Sequence, residues 1–231
     1  MRLLKLSNVA IILGAGNGTR MKSDKSKMLL DVMGSTVIER SVHAFAELNV
    51  IDEIIVTVRE EDLETFSALI QNDKVSFVIG GSTRQASVKA AVDTIDEADL
   101  IIIHDGARPF ICEKDILSTM QAAKENGAAA VGVPVKDTIK VINSENIVVD
   151  TPNRATLYAV QTPQIFDFRL YQSALEKATA DSKDFTDDCQ LIEYAGSKVK
   201  MVQGDYSNIK ITTPDDIAVA ENILLQRIRK G

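Results

Sequence analysis

Short apolar runs at 9–13, 53–58, 75–79, 100–103 and 128–133 alternate with segments carrying apolar residues at helical spacing, at 37–48, 60–70, 83–93 and 114–125. No other feature of the chain restricts its fold as strongly. A short strand that is apolar throughout must be buried on both faces, and parallel strands joined by helical crossovers achieve this. The alternation therefore predicts an α/β fold, a Rossmann-like, mainly parallel sheet with helices on both faces and right-handed crossovers. Ligands of such sheets bind beyond the carboxyl ends of the strands. That rule singles out the loops at 14–20, 80–84 and 104–109, which should share one edge of the sheet.

Each of these loops carries groups suited to phosphates. The first contains Gly14, Gly16 and Gly18, followed by Arg20, Lys22, Lys25 and Lys27. Glycines leave the backbone N–H groups free to converge on an anion, and Arg20 and Lys27 add fixed positive charge beside them. The spacing matches neither G-x-G-x-x-G nor the phosphate loop ending in G-K-[ST]; the glycines together with the basic residues suggest a triphosphate cradle. In the third loop, Asp105 is a carboxylate able to hold Mg2+ against phosphate oxygens. Gly106 allows close backbone approach there, and Arg108 can grip a phosphate bidentately. His104 reads as a structural residue at the strand end, and His43 as a packed or exposed helix residue. The second loop, Gly80-Gly81-Ser82-Thr83, opens a helix whose free N–H groups and Ser87 hydroxyl could read a base or ribose. Taken singly, each loop also reads as an ordinary tight turn.

Further along, 136–141 and 146–149 read as a hairpin outside the α/β rhythm. Two strands alone are marginal in water, so such an arm needs a surface to pack on, a second subunit being one. Fragments at 158–161, 167–178, 187–195 and 199–203 follow, and Thr213 with Pro214 opens a last helix at 214–227. Thr186 suits a helix cap, and Lys210, between Ile209 and Ile211, is placed on one face of a short strand. The chain reads as one domain over 1–231, with the arm at about 136–157. Its net charge of −7 argues against binding nucleic acid or anionic membrane. No stretch approaches the ~20 apolar residues of a membrane span, and Cys112 and Cys189 stand apart without metal-ligand spacing. A cytoplasmic location is expected.

In order, G-x-G-T-R-M with Lys27, G-G-x-x-R-x-x-S-V from Gly80, H-D-x-A-R-P-F from His104, V-K-D-T from Val135, T-P-Q from Thr162, F-T-D-D from Phe185 and N-I-K-I-T-T-P-D-D from Asn208 span most of the chain. This ordered set resembles the 2-C-methyl-D-erythritol 4-phosphate cytidylyltransferase family, with the ribitol-5-phosphate cytidylyltransferases as near relatives. The resemblance implies the sheet fold above, Mg2+ as cofactor and CTP and a polyol phosphate as substrates. It also implies a homodimer whose arms exchange. It implies CTP contacts from Ala15, Gly16, Asn17 and Gly18, from Gly80, Gly81, Ser82 and Ser87, and from Asp105 and Gly106. Arg20, Lys27 and Lys210 would be catalytic, and Asp105 would hold the metal. Asp105, Arg108, Thr162, Thr186 and Lys210 would position the acceptor, with Thr138 and Arg154 serving the partner's site. Two departures stand out. Ser26-Lys27-Met28 replaces the family's usual Pro-Lys-Gln, and Leu13-Gly14-Ala15-Gly16 its common Pro-Ala-Ala-Gly. A CDP-ribitol-forming enzyme and a non-catalytic nucleotide-binding module are the competing readings.

Overall fold

The computed structural model describes residues 7–16 and 26–230. The strands β1 (Asn8–Leu13), β2 (Glu53–Val58), β3 (Val75–Ile79), β4 (Leu100–Asp105) and β5 (Ala128–Pro134) fall where the apolar runs predict them. After the arm strands β6 (Val141–Ile142) and β7 (Val148–Asp150), the sheet is completed by β8 (Tyr158–Asp167) and β9 (Lys200–Gln203). The seven-stranded order is β3-β2-β1-β4-β8-β5-β9. β8 is antiparallel to both neighbours, and the remaining pairs are parallel.

Period-two alternation divides the core. Along β1, Ala10 and Ile12 enter one cluster with Ile38, Phe45, Phe66, Ile116 and Ala220. Val9 and Ile11 enter the other, with Val88, Ala91, Tyr171, Leu175 and Ile192. The first face is therefore covered by α1 (Val37–Ala46), α2 (Leu63–Leu69), α4 (Glu113–Asn126) and α7 (Asp215–Lys230), and the second by α3 (Arg84–Val92), α5 (Phe168–Ala180) and α6 (Asp188–Tyr194). Burial on both faces is why 9–13 of β1 and 100–103 of β4 are apolar without interruption.

Several elements differ from expectation. The helix expected over 60–70 begins as a 3-10 turn, Glu60–Asp62, before α2. β8 runs well past 161, through Pro163. Proline donates no ladder bond, and it lies where the β5–β8 register shifts, between the Ala130–Gln164 and Gly132–Val160 pairs. Lys210 lies in irregular chain rather than in a strand. At the start of α7 the Asp216 carboxylate accepts the N–H groups of Thr212 and Thr213 at 2.7 and 2.8 Å. The arm is shorter in strand than expected: β6 and β7 pair only with each other. It exposes Ile142, Ile147, Val148 and Val149. At its base Tyr206 donates to the Pro134 carbonyl at 2.7 Å, and the Lys136 ammonium lies 3.6 Å from the centre of the Tyr206 ring.

Candidate active site

The strand order reverses between β1 and β4, and the two strands end together, with Leu13 paired to Asp105. Backbone bonds then lock the departing loops. Gly14 donates to the Thr57 carbonyl at 2.9 Å and Gly106 donates to the Leu13 carbonyl at 3.0 Å. Side chains would obstruct both approaches: a Cβ on Gly14 would lie 2.7 Å from the Thr57 oxygen, and one on Gly106 would lie 2.9 Å from the Leu13 oxygen. The Leu13-Gly14 departure thus has a local reason in this chain. Beyond these strand ends lies a cleft lined by Ala15, Gly16, Lys27, Met28, Gly81, Ser82, Arg84, Ser87, Asp105 and Lys210, among others.

Asp105 is its electrostatic centre. Lys210 Nζ is 2.8 Å from Oδ2, Arg108 Nε is 3.6 Å from the same oxygen, and Arg84 Nε is 3.8 Å from Oδ1. Burial alone would favour the protonated acid, but Lys210 and then Arg84 and Arg108 hold the carboxyl well below the usual carboxylate range. The carboxylate is further fixed through its own backbone, since Asp105 N–H donates to Thr162 Oγ1 at 3.0 Å. That hydroxyl pairs with His104 Nδ1 at 3.1 Å, while His104 Nε2 is 3.0 Å from the Arg108 carbonyl. Nε2 therefore carries the proton and Nδ1 accepts. His104 is wholly buried against Phe45, and burial lowers its pKa to about 4. His104 is structural, as expected, and His43 is exposed beside Glu47.

Lys27 opens a single 3-10 turn, Lys27–Leu29, and donates to the Ile211 carbonyl at 3.1 Å. Ser26 caps that turn by accepting the Met28 N–H, and Met28 is buried in the first core cluster. The Ser-Lys-Met departure is thus a capped, core-anchored turn presenting Lys27 to the cleft. On the α3 side, Gly81 donates to Ser87 Oγ at 3.1 Å, and Ser87 donates to the Thr83 carbonyl at 2.9 Å. The Ser87 hydroxyl therefore shapes the Gly81 turn while lining the cleft.

Other expected site residues sit differently. Gly80 and Gly106 do not line the cleft: the Gly80 N–H bonds the Val58 carbonyl, and the Gly106 carbonyl accepts from Ser41 at 2.7 Å. Thr162 is buried beneath Asp105 rather than facing the cleft. Arg108 is turned inward, donating to the Asn208 carbonyl at 2.8 Å and so holding the segment that carries Lys210. Burial pushes its guanidinium pKa down. Thr186 is exposed, and Asp187, not Thr186, caps α6 by accepting the Gln190 N–H. Thr138 and Arg154 are exposed on the arm, Arg154 donating to the Lys136 carbonyl at 2.6 Å, and neither lines the cleft of its own chain. Asn17, Gly18 and Arg20 lie outside the described residues. Among the described residues no three His, Cys, Asp or Glu side chains converge as a metal cluster, so Asp105 is the carboxylate offered to the cleft. The sequence reading gave Arg84 no role, although it stands within G-G-x-x-R.

A profile of the 2-C-methyl-D-erythritol 4-phosphate cytidylyltransferase family matches residues 8–226. The chain belongs to this family. A 2-C-methyl-D-erythritol 4-phosphate cytidylyltransferase of Clostridium perfringens strain SM101 is 42% identical over 220 residues, covering 94% of this chain and 98% of that protein. The cytidylyltransferase of Caldanaerobacter subterraneus is 43% identical over 221 residues, covering 93% and 97%. Among solved structures, the 4-diphosphocytidyl-2C-methyl-D-erythritol synthase of Anaerococcus prevotii superposes with a TM-score of 0.86 at 36% identity, over 95% of this chain and 96% of that one. This cytidylyltransferase is therefore an α/β nucleotidyltransferase, with its cleft at the strand-order reversal. Among the described residues no helix is long and apolar enough to cross a membrane.

Proposed function

We propose that the chain transfers CMP from CTP to 2-C-methyl-D-erythritol 4-phosphate, releasing pyrophosphate and forming 4-diphosphocytidyl-2-C-methyl-D-erythritol in the non-mevalonate isoprenoid pathway. The observation that carries this reading is the convergence of Lys27, Lys210 and an ionised Asp105 in one cleft. A 4-phosphate oxygen attacks the α-phosphorus of CTP, and the bond to the bridging oxygen breaks as pyrophosphate leaves. The nucleophile is already anionic, so no general base is needed. Catalysis then rests on alignment and on neutralising charge at the equatorial and leaving oxygens. Lys27 is fixed by its capped turn for that task, and Arg20 joins it on the family resemblance.

Asp105 suits Mg2+, which binds through one or two carboxylates plus substrate oxygens. Bound there, the ion would supply positive charge against the triphosphate. The arm is assigned to a second copy of the chain, because a two-stranded sheet exposing Ile142, Val148 and Val149 has no core of its own. Thr138 and Arg154 then serve the partner's cleft. The free Cys112 and Cys189 suit the reducing cytoplasm. Pyrophosphate release measured across CTP, UTP and ATP, with methylerythritol and ribitol phosphates as acceptors, tests the reading. Turnover confined to CTP and the methylerythritol phosphate is expected. Turnover with ribitol 5-phosphate alone, or CTP binding without release from either acceptor, would overturn it.

A further inference from the structure

Arg84 is the first residue of α3 and lines the cleft directly after the Gly81–Thr83 turn. Its guanidinium bridges two carboxylates: Nη1 lies 2.5 Å from Asp188 Oδ2, and Nε lies 3.8 Å from Asp105 Oδ1. Asp188 is buried at the start of α6, and its other oxygen accepts the hydroxyl of the wholly buried Tyr171 at 2.7 Å. The backbone N–H groups of Asp188 and Cys189 both donate to Gln164 Oε1, while Gln164 Nε2 donates to Asp187 Oδ1 at 2.6 Å. Gln164 stands two residues beyond Thr162 on β8, and Thr162 holds Asp105.

Neighbours of Arg84 close the same seam. Thr83 donates to Asp184 Oδ1 at 3.0 Å, Gln85 Nε2 donates to the Lys183 carbonyl at 3.0 Å, and Phe185 N–H donates to Gln85 Oε1 at 2.8 Å. Segment 183–188, which carries Thr186, is thus clamped to the amino end of the helix that shapes the nucleotide side of the cleft. A planar fork can hold two carboxylates in fixed directions; an ammonium on a flexible stem cannot.

We propose that Arg84 is a positioning residue, locking segment 183–188 and Asp105 to the α3 turn so that the acceptor side is set in register with the nucleotide side. The assignment of segment 183–188 to the acceptor side rests on the proposed function. Arg84→Lys keeps the charge and loses the fork, and Tyr171→Phe removes one hydroxyl from Asp188 without emptying the core. Both variants are to be compared with the parent by steady-state kinetics, CTP calorimetry and amide hydrogen exchange over 182–190. For Arg84→Lys the expected result is a rise in acceptor KM of about tenfold with CTP affinity within about threefold, and faster exchange in that segment. Tyr171→Phe should shift KM and exchange in the same direction by less.

Unchanged acceptor KM and exchange in both variants would overturn the proposal. A loss of CTP affinity without change at 182–190 would also overturn it, marking Arg84 as a direct nucleotide ligand. If Arg84→Lys does not fold, Tyr171→Phe decides alone, and unchanged exchange and KM in it refute the linkage. Failure of the proposed function itself is distinguishable, because the parent would then turn over no methylerythritol phosphate.

Discussion

Replacing Thr162 by Val keeps the shape of the side chain and deletes its hydroxyl. Two buried partners lose their hydrogen bond to it: the Asp105 N–H at 3.0 Å and His104 Nδ1 at 3.1 Å. Leaving a buried polar group unpaired costs roughly 1–3 kcal/mol. The His104 acceptor sits in a wholly buried ring, and some relaxation of the strand end will recover part of the loss. We therefore expect a destabilisation of about 2–3 kcal/mol. For a domain of this size that lowers Tm by about 4–12 °C. Thr162→Ser restores an oxygen in nearly the same place and should lie much closer to the parent. Activity should fall further in the Val variant than in the Ser variant, because Asp105 loses the bond that fixes its backbone. Thermal unfolding by circular dichroism, with urea titration to check that m is unchanged, measures the effect. Equal Tm values for the Val and Ser variants would refute the reasoning, since methyl packing rather than the hydroxyl would then be what matters.

His104 gives a pH dependence. Its folded pKa of about 4 lies below the ordinary 6.5, so the unfolded chain binds the extra proton first as pH falls. The contribution is fully present above pH 6.5 and is lost as pH falls toward 4. Urea midpoints in chelator should show a loss on the order of 3 kcal/mol across that window, and His104→Asn should flatten this part of the profile. Lys27→Ala should lower kcat by about 10²–10³-fold with CTP affinity little changed, read by pyrophosphate release and calorimetry. Wild-type turnover would remove Lys27 from the mechanism. Mixing Lys27→Ala and Arg154→Ala subunits should restore part of the activity if arms serve partner clefts; no recovery in subunits shown to exchange would count against sharing.

β2 was legible in the sequence because its burial from Ile54 to Val58 forces a nearly unbroken apolar run over the expected 53–58; the half-exposed edge strand β3 also spans its expected 75–79. β8 extends beyond its apolar pattern, which Gln161, Thr162, Pro163 and Gln164 interrupt, although the three polar residues are buried. They are polar because they hold the site from beneath, so function hides the strand. The loops at strand ends were legible, since the edge rule needs only strand boundaries. The Arg84–Asp188 contact joins residues far apart in sequence and depends on where α6 docks, which local pattern does not encode. Thr186 and Asp187 are both good caps by composition; only the geometry of the turn chooses Asp187.

The reversed direction of β8 also decides how the arm is mounted. β5 runs toward the cleft and β8 runs away from it, with Pro134 paired to Tyr158. The insertion consequently leaves and re-enters the sheet at neighbouring positions on one rim, about 5 Å apart. A parallel return would have required a crossover along the whole height of the sheet. Mounted this way, the arm is a detachable length of chain: residues can be added or removed at its tip to change its reach, while the ladder below keeps its register.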